Sequence, residues 1–428
     1  MRDIKLGLLG LGNVGKGVWE ILHNNHKITT DYANANLVIK RVLVRDPNKN
    51  RGLSIPYDVF TTEADGILHD PEIDIVVELI GGIHPAYEYI KEAIQNGKHV
   101  VTANKAVIAN FGAELLEMAA RYGVELYFEG SVGGGIPIIA TLQRSLAANR
   151  IQRIVGIING TTNYILTRMT RDGMSFAQAL KQAQEKGYAE ADPTSDIEGE
   201  DAAFKLSILA YIAFGVQIAP DELPRVGITK ISEKEIEYAE QLGYTIKLLA
   251  TAEKRGDFLE THVHPALVPG KHPLASVSDE YNALFIKGDA VGELMLYGRG
   301  AGSLATGSAV MGDILEIARL MMAGMAGKLD GTKKKQPLTV VGEGCGAYYV
   351  RLQVVDKPGV LGRITTTFGK YEISLESVVQ KGQGEETVPL VFVTHRVERA
   401  KLDAALYEIS QLPVVSEVAS ILRVERFD

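Results

Sequence analysis

Apolar runs and helix-periodic segments alternate along the first third of the chain. Runs rich in Val, Ile and Leu predict five strands, and the first begins at Ile4. The other four are predicted at residues 37–45, 73–80, 98–104 and 124–131. Strands this apolar are typical of a parallel sheet that helices cover on both faces. The pattern predicts an α/β class, with a doubly wound N-terminal domain over residues 1–131.

Beyond residue 131 the pattern becomes that of an open α+β domain. A glycine-rich joint leads into a strand, and strand candidates recur between residues 245 and 297. Helices are predicted at residues 160–170, 174–186 and 309–323. Ser175 can cap the second helix and Gly187 can end it, and the third helix is expected to pack back on the N-terminal domain. We predict a catalytic, substrate-binding and dimerisation domain over residues 132–327.

The last part of the chain has the pattern of a separate small domain. Residues 328–338 are polar and basic, and they predict a linker that extends to residue 347. Residues 348–428 follow the order strand, helix, strand, strand, helix, strand of a ferredoxin-like fold. The sequence DKPGVLG, residues 356–362, resembles the ligand loop of the ACT family of amino-acid-sensing domains. The resemblance implies that an effector contacts Asp356, Pro358, Gly359, Val360 and Leu361. The alternative is an oligomerisation domain without a ligand.

The turn after the first strand has the glycine spacing of a dinucleotide-binding loop. Gly10, Gly12 and Gly15 form G-x-G-x-x-G between an apolar run and a helical pattern. Gly10 permits a tight turn, Gly12 lets the backbone approach a pyrophosphate, and Gly15 lets helix and strand pack closely. The free N–H groups of the helix N-terminus suit that anion. We predict a Rossmann site formed by Gly10, Leu11, Gly12, Asn13, Val14 and Gly15.

The end of the second predicted strand bears on the choice of cofactor. An acid at this place usually favours NAD, whereas an arginine favours the 2′-phosphate of NADP. Arg45 comes first here and Asp46 second, with two more cations close behind. We predict NADP, with NAD as an alternative cofactor. The other interpretation is that these are solvated charges of a surface loop.

An acidic run precedes a helical segment in the middle of the chain. Six carboxylates lie within the twelve residues 190–201. Lys205 follows Asp201 by four residues, so on a helix the two side chains share one face. A carboxylate and an ammonium on one face suit a substrate with an amino group to hold and a hydroxyl proton to move. The alternative is an acidic helix cap with an ordinary surface ion pair.

Composition narrows the classes of function. The chain has 428 residues, 46% hydrophobic and 23% charged residues and a formal charge of −8, which is ordinary for a globular enzyme. The sequence has no dominant basic patch, so a nucleic-acid partner is not expected. No apolar run is long enough to form a transmembrane helix. Because Cys345 is the single cysteine, the chain cannot form an internal disulfide or a cysteine-built metal site. We predict a cytoplasmic enzyme without membrane or nucleic-acid partners.

The whole chain resembles the homoserine dehydrogenase family in its ACT-containing form. The resemblance rests on seven segments, and the sixth is the most specific: GLGNVG, ELIGG, TANKA, EGSVGGGIP, INGTTNYIL, GYAEADPTSDIEGEDAAFKL and YGRGAGSLATGSAV. It implies reversible NAD(P)-dependent hydride transfer between L-homoserine and L-aspartate 4-semialdehyde. The pathways implied are threonine, methionine and isoleucine biosynthesis, with L-threonine as effector. A homodimer or homotetramer is also expected.

The resemblance assigns roles to individual residues. Lys205 matches the proton-transfer lysine, Asp201 orients it and holds substrate, and Lys105 lies between substrate and nicotinamide. Further substrate contacts are implied for Gly187, Glu190 and Asp196, and a further cofactor contact for Gly302. A sodium site at the domain joint would use Glu129 and the carbonyl groups of Val132, Gly134 and Ile136, which suit a hard cation.

Two functions of other classes remain open from the sequence. One is a Rossmann sensor that binds nucleotide and amino acid without chemistry. The other is a different NAD(P)-dependent amino-acid dehydrogenase, such as one that releases ammonia.

Overall fold

The computed structural model of the protein describes residues 1–328, 338–380 and 386–427. The chain forms two compact units, each assembled from three stretches. The first unit comprises Met1–Gln152, Phe204–Glu222 and Asn282–Leu338. The second unit comprises Arg153–Ala203, Leu223–Tyr281 and Thr339–Asp428. The domain boundaries given above after residues 131 and 327 stay a prediction.

The secondary structure follows the alternation expected from the sequence. In the first 140 residues the strands are β1 (Asp3–Leu9), β2 (Asn36–Leu43), β3 (Phe60–Thr61), β4 (Ile75–Glu78), β5 (His99–Thr102) and β6 (Leu126–Tyr127). The helices there are α1 (Asn13–Asn24), α2 (His26–Ala33), α3 (Asp65–Leu68), α4 (Ala86–Gln95), α5 (Lys105–Tyr122) and α6 (Ile138–Ala140).

The remaining elements mix helices with longer strands. The strands are β7 (Ile151–Ile157), β8 (Tyr244–Arg255), β9 (Phe258–Pro269), β10 (Tyr281–Gly288), β11 (Gly292–Arg299), β12 (Thr339–Val341), β13 (Cys345–Val355), β14 (Leu375–Gln380), β15 (Thr387–Thr394), β16 (Val397–Glu398) and β17 (Val415–Val424). The helices are α7 (Gly160–Asp172), α8 (Phe176–Glu185), α9 (Thr194–Ile197), α10 (Glu200–Phe214), α11 (Glu233–Gln241), α12 (Ser303–Met322), α13 (Val360–Lys370) and α14 (Arg399–Ser410). Among the described residues, no helix has the length and apolarity to cross a bilayer.

The first unit is built on a six-stranded parallel sheet. The strand order is β3-β2-β1-β4-β5-β6, the doubly wound order of a Rossmann domain. Strands β1, β4 and β5 are buried on both faces, as their apolar sequences require. The predicted parallel sheet is confirmed, although its strands are shorter than the apolar runs. The strand order reverses between β1 and β4, and ligands of such sheets bind at that edge.

Helix α12 packs against α1 within the first unit. Val310, Ile314 and Ile317 of α12 share a buried core with β1. The helices approach so closely that a Cβ atom on Gly17 would lie 2.0 Å from the backbone oxygen of Ser303. The helix begins at Ser303 rather than at residue 309, because its first turn is glycine- and serine-rich and lacks the apolar period.

The second unit contains a mixed sheet with the order β7-β8-β9-β17-β13-β15-β14. Its C-terminal part has the predicted ferredoxin-like succession, with strands ordered β17-β13-β15-β14 around helices α13 and α14. Tyr348, Phe368 and Phe392 are fully buried in this part. The predicted fold class is therefore confirmed in all three of its parts.

The C-terminal part continues the sheet of the second unit, and the boundaries given above for the linker and for the domain of residues 348–428 stay a prediction. Strand β17 pairs with β9 in parallel, and β12 pairs with β9 as well. Of the predicted linker, residues 329–337 lie outside the described residues. The following residues form β12 and the start of β13, so Cys345 lies in a strand. The pairing of β17 with β9 joins residues that are more than 100 positions apart, so no short stretch of the sequence indicates it.

Candidate active site

The glycine turn after β1 has the geometry that the fingerprint predicts. Gly10 has φ +103°, and a Cβ atom there would lie 2.9 Å from the backbone oxygen of Leu79. A Cβ atom on Gly15 would lie 2.7 Å from the oxygen of Gly10, so α1 can approach the turn only with glycine. Gly12 caps α1, is exposed, and has open space where its Cβ would be. The approach to the N-terminus of α1 is therefore open at Gly12.

A second helix N-terminus lies beside this turn. The Ser303 hydroxyl donates a hydrogen bond of 2.6 Å to the backbone oxygen of Asn13. Gly302 caps α12 with φ +129°, a conformation that favours glycine. Leu11 is buried and Val14 is half-buried against the core. The positive ends of α1 and α12 thus meet near Gly12, where they can bind a pyrophosphate.

Arg45 lies two residues beyond the end of β2. It is close to the glycine turn, because Gly10 N–H donates a 3.1 Å hydrogen bond to the oxygen of Leu43. The Asp46 carboxylate closes a turn by accepting from Asn48 N–H at 2.9 Å, and Arg51 donates to backbone oxygens of the same loop. Arg45 is exposed. An exposed guanidinium at this edge suits the 2′-phosphate of NADP.

Sequence reasoning missed a buried carboxyl group at the ends of β4 and β5. Glu78 is fully buried, and it accepts hydrogen bonds from the Thr102 hydroxyl and Ile80 N–H, both at 2.7 Å. Burial raises the pKa of Glu78. Asn104 caps α5 and donates to the oxygen of Gly82 at 2.7 Å. These bonds fix the loop that positions Lys105, the first residue of α5. The sequence did contain a signal for this cluster, because its residues lie in the ELIGG and TANKA segments that carry the family resemblance.

The second unit brings Asp196 and Asp201 together through Asn159. The Asn159 amide group donates to Asp196 Oδ1 at 2.6 Å and to Asp201 Oδ2 at 2.8 Å. Thr161 Oγ1 lies 2.8 Å from Asp196 Oδ2. Asn159 also caps α7, since its side-chain oxygen accepts from Thr162 N–H at 2.8 Å. Two carboxylates joined by one neutral amide form an anionic pair, which can bind a cation. The sequence assigned no role to Asn159 or Thr161, although both lie in the INGTTNYIL segment.

The other predicted substrate residues follow α8. Ser175 caps this helix in a full capping box, and Gly187 follows it with φ +74°. Glu190 is exposed, and its backbone oxygen accepts a 3.1 Å hydrogen bond from Gln184. Lys205 is half-buried on α10, one turn beyond the buried Asp201. Helix α10 runs through the boundary of the two units.

The predicted sodium ligands lie in the first unit. Glu129 is buried, and its carboxylate accepts from Ile139 N–H at 2.8 Å and Ala140 N–H at 2.7 Å. Burial raises the pKa of Glu129. The Ile136 carbonyl already accepts from Ile138 N–H at 2.8 Å. The Ile136 carbonyl oxygen has a second lone pair, so it can still bind a cation. The buried Ser131 hydroxyl has no hydrogen-bond partner among the described residues. The donor set, which includes the carbonyl groups of Val132 and Gly134, fits a hard monovalent cation by type.

The ACT loop lines a cavity of about 350 Å³. All five predicted effector residues line it: Asp356, Pro358, Gly359, Val360 and Leu361. Gly359 caps α13 with φ +86°, so N–H groups of the first turn of α13 are available to a carboxylate. This cavity is a candidate site for an amino-acid effector.

Family models match three segments of the chain. The homoserine dehydrogenase NAD-binding domain matches residues 10–129, the homoserine dehydrogenase domain matches residues 137–315, and the ACT domain matches residues 348–414. The nucleotide-binding turn lies in the first of these segments and the acidic residues lie in the second. The fold and these sites define a dinucleotide-binding oxidoreductase with an ACT domain.

Full-length relatives carry the same family name. The homoserine dehydrogenase of Bacillus subtilis (strain 168) is 40% identical and that of Synechocystis sp. is 44% identical, with at least 98% of each chain covered. The crystal structure of a homoserine dehydrogenase from Thiobacillus denitrificans has a TM-score of 0.94 at 42% identity, with 99% of both chains covered. The chain belongs to the homoserine dehydrogenase family.

Proposed function

We propose that the protein interconverts L-homoserine and L-aspartate 4-semialdehyde, in threonine, methionine and isoleucine biosynthesis. The observation that carries this proposal is the pair of carboxylates, Asp196 and Asp201, that Asn159 joins. A small amino acid with a terminal hydroxyl group has the ammonium that such a pair binds. Its hydroxyl proton must then leave as hydride is transferred.

Lys205 would carry that proton. It is the half-buried ammonium one helical turn beyond Asp201. Its neutral amine accepts the hydroxyl proton during oxidation, and its ammonium returns the proton to the forming alkoxide during reduction. Asp201 would orient Lys205 and hold substrate, and Lys105 at the start of α5 would contact both substrate and cofactor. When bound, the nicotinamide accepts hydride from the hydroxymethyl carbon.

The remaining acidic-run residues would hold the amino-acid end of the substrate. Glu190 offers an exposed carboxylate, and Gly187 offers backbone in a conformation that leaves room for a ligand. Asp196 accepts from both Asn159 and Thr161, so its carboxylate is fixed in place. Binding is therefore expected to depend on the substrate's amino group.

Rates with matched substrates test this proposal. Purified enzyme should oxidise L-homoserine and lose most activity with 4-hydroxybutanoate, which keeps the hydroxymethyl end but lacks the ammonium group. L-Aspartate, the substrate of an ammonia-releasing dehydrogenase, should not be oxidised. Equal kcat/KM values for L-homoserine and 4-hydroxybutanoate would contradict the role of the carboxylate pair.

NADP is the proposed cofactor, with NAD as an alternative. The residues expected to bind it are Gly10, Leu11, Gly12, Asn13, Val14, Gly15, Arg45, Lys105 and Gly302. A hyperthermophilic archaeal homoserine dehydrogenase, solved in complex with NADPH, has a TM-score of 0.63 and 27% identity over 74% of this chain and 97% of its own. Exposed Arg45 at the end of β2 supports the same choice here.

Arg45→Ala should raise KM for NADP while changing KM for NAD little. A charge-assisted hydrogen bond is worth about 1.5–3 kcal/mol, and the low end applies to an exposed side chain. This corresponds to about a tenfold rise in KM for NADP. Steady-state kinetics with both cofactors measure the effect, and each variant's KM for NAD is the internal control. Equal changes for the two cofactors would mean that Arg45 does not contact the 2′-phosphate.

Gly12→Ala should weaken cofactor binding without disturbing the fold. Gly12 has φ −81°, which alanine tolerates, and its Cβ would enter open space. That space is where the pyrophosphate would approach the backbone, and overpacking costs about 1–3 kcal/mol. The Kd for NADP should therefore rise about 5–150-fold, measured by calorimetric titration.

Two other glycines provide controls for Gly12→Ala. Gly312→Ala also places its Cβ in open space, but on the exposed face of α12. It should leave Kd unchanged and raise Tm slightly, because alanine favours a helix interior over glycine by about 1 kcal/mol. Gly17→Ala forces a Cβ to within 2.0 Å of Ser303 backbone and should lower Tm as well. If Gly12→Ala binds NADP normally, the cofactor does not pass over this turn.

A sodium ion is proposed for the buried loop that contains Glu129, Val132, Gly134 and Ile136. The ion would stabilise the loop, because its positive charge would balance the negative charge of the buried Glu129 carboxylate. L-Threonine is the proposed effector of the ACT cavity. A cytoplasmic location and a homodimer or homotetramer also remain predictions.

A further inference from the structure

Three buried side chains meet in the second unit, away from the residues proposed for catalysis. His262 and His264 lie on β9, two residues apart, and so project from the same face of the strand. Their rings stack with centroids 4.1 Å apart. Glu425 follows β17, and its N–H donates a 2.9 Å hydrogen bond to the oxygen of Leu267 on β9. The pairing of β17 with β9 therefore fixes Glu425 beside both histidines.

The polar atoms of these side chains are buried without hydrogen-bond partners. The exposed fractions are 1% for His262, 7% for His264 and 1% for Glu425. Within the part of the chain that the structure describes, both ring nitrogens of each histidine and Oε1 of Glu425 have no hydrogen-bond partner. Buried polar atoms are nearly always paired, and an orphaned group points to a water molecule or an ion. Oε1 of Glu425 lies 3.5 Å from Nε of Arg423, an ion-pair contact without hydrogen-bond geometry.

We propose that His262, His264 and Glu425 bind a divalent transition-metal ion, with Zn²⁺ as the preferred ion. One ligand atom from each side chain lies within 4.8 Å of the other two. Bonds from Zn²⁺ to imidazole nitrogen and carboxylate oxygen measure about 2.0–2.2 Å, so small side-chain rotations close the site. A water molecule would complete a tetrahedral coordination.

Carboxylates beside the histidines support metal binding. Glu260 Oε1 lies 3.6 Å from His262 Nε2, and Glu343 Oε1 lies 3.5 Å from His264 Nε2. In metal sites a ligating histidine usually donates its other ring N–H to a carboxylate, which fixes the tautomer. A ring that donated Nε2–H to its carboxylate would keep the lone pair of Nδ1 for the ion.

The charge of the surroundings selects the kind of ion. The ion pairs around the three ligands contain five carboxylates and four guanidinium groups: Glu253, Glu260, Glu343, Asp403 and Glu425, with Arg153, Arg255, Arg399 and Arg423. Because the guanidinium groups nearly balance the carboxylates, a hard cation such as Mg²⁺ gains little here. Imidazole ligands favour zinc and its neighbours in the transition series.

The site would connect the catalytic and ACT parts of the second unit. His262 and His264 lie in the segment matched by the homoserine dehydrogenase domain, whereas Glu425 follows the last strand of the ferredoxin-like part. Of the three ligands, Glu425 also lines a cavity of about 90 Å³, together with Arg423 and Arg153 among others. The ion would act as a cross-link between β9 and the chain end, and its binding energy would stabilise the folded protein.

Zinc binding to the full-length protein tests the proposal. Protein freed of metal by a chelator is titrated with Zn²⁺ against a chromophoric competitor, and one tight site per chain is expected. His264→Gln and Glu425→Gln should each weaken that site at least about 100-fold, the upper end of what outer-sphere changes cost. Zinc should raise the Tm of the unmodified protein and not that of the variants.

A second group of potential ligands supplies the matched control. Asp65, His69 and Glu92 also lie close enough to share an ion, but Asp65 and His69 are exposed. His69→Gln should therefore leave the tight site intact. Loss of binding in His69→Gln, or unchanged binding in His264→Gln, would overturn the assignment, and so would the absence of a tight site in the unmodified protein.

If the variants fail to fold, spectroscopy of the unmodified protein still tests the proposal. Cobalt(II) in the tight site should give the intense visible absorption of a tetrahedral ion, without thiolate bands because Cys345 is not a ligand. X-ray absorption at the zinc edge should show scattering from two imidazole rings. A six-coordinate spectrum, or one without imidazole scattering, would overturn the proposal.

Discussion

Lys205→Met is expected to lower kcat by about 10²–10⁴-fold, the usual cost of losing a general acid–base group. Methionine approximates the length of the side chain but can neither accept nor return a proton. The fold should be preserved, because Lys205 is only half-buried. Steady-state rates in both directions measure the loss, and titration with NADP should give an unchanged Kd.

A lysine on a neighbouring helix is the matched control for Lys205. Lys181 on α8 is largely exposed and pairs only weakly with Glu185, at 3.9 Å. Lys181→Met should keep the rate of the unmodified enzyme. A Lys205→Met variant with more than a tenth of the normal kcat would show that another group moves the proton.

Arg351→Met is expected to lower the free energy of unfolding by about 3–5 kcal/mol, because it leaves a buried carboxylate unpaired. Arg351 on β13 contacts Glu235 on α11 through Nε at 2.6 Å and through a second guanidinium nitrogen at 2.5 Å. Glu235 is only 1% exposed. Urea unfolding, followed by circular dichroism, measures the change.

An exposed arginine in the same part of the chain controls for the loss of charge. Arg363 on α13 is exposed, and Arg363→Met should change the free energy of unfolding by less than about 0.5 kcal/mol. If both variants unfold alike, Arg351 does not couple the ferredoxin-like part to the rest of the second unit.

The nucleotide-binding turn could be predicted because its determinants are local. Gly10, Gly12 and Gly15 lie within six residues, so their spacing can be recognised in the sequence. A Cβ atom would meet nearby backbone at Gly10 and at Gly15, whereas Gly12 has open space. The close approach of α12 to Gly17 depends on Ser303, which is far along the chain. The doubly wound sheet was predictable for a similar reason, since each buried strand is a continuous apolar run.

The joining of the two aspartates could not be predicted from spacing. Asp196 and Asp201 are close in sequence, but Asn159 and Thr161, which hold them, precede them by more than thirty residues. Their polar side chains at a helix start are equally consistent with simple capping. Only the fold shows that one amide group serves both carboxylates.

In the C-terminal part, the order of the elements could be predicted but their pairing with the rest of the sheet could not. Its strand and helix order was evident, because each element has its own period. Its attachment was not evident, because the pairing of β17 with β9 uses backbone groups that every sequence offers. The histidines on β9 likewise show their relation to Glu425 only in three dimensions.

The most direct test of the proposed function is the reaction of the purified protein with L-homoserine. Reduced nicotinamide, free ammonia and the aldehyde product are measured in the same samples, with NADP and with NAD. The proposed mechanism predicts one reduced nicotinamide per aspartate 4-semialdehyde formed, no ammonia, and loss of both products in Lys205→Met. Cofactor reduction accompanied by ammonia, or no reduction with either cofactor, would contradict it.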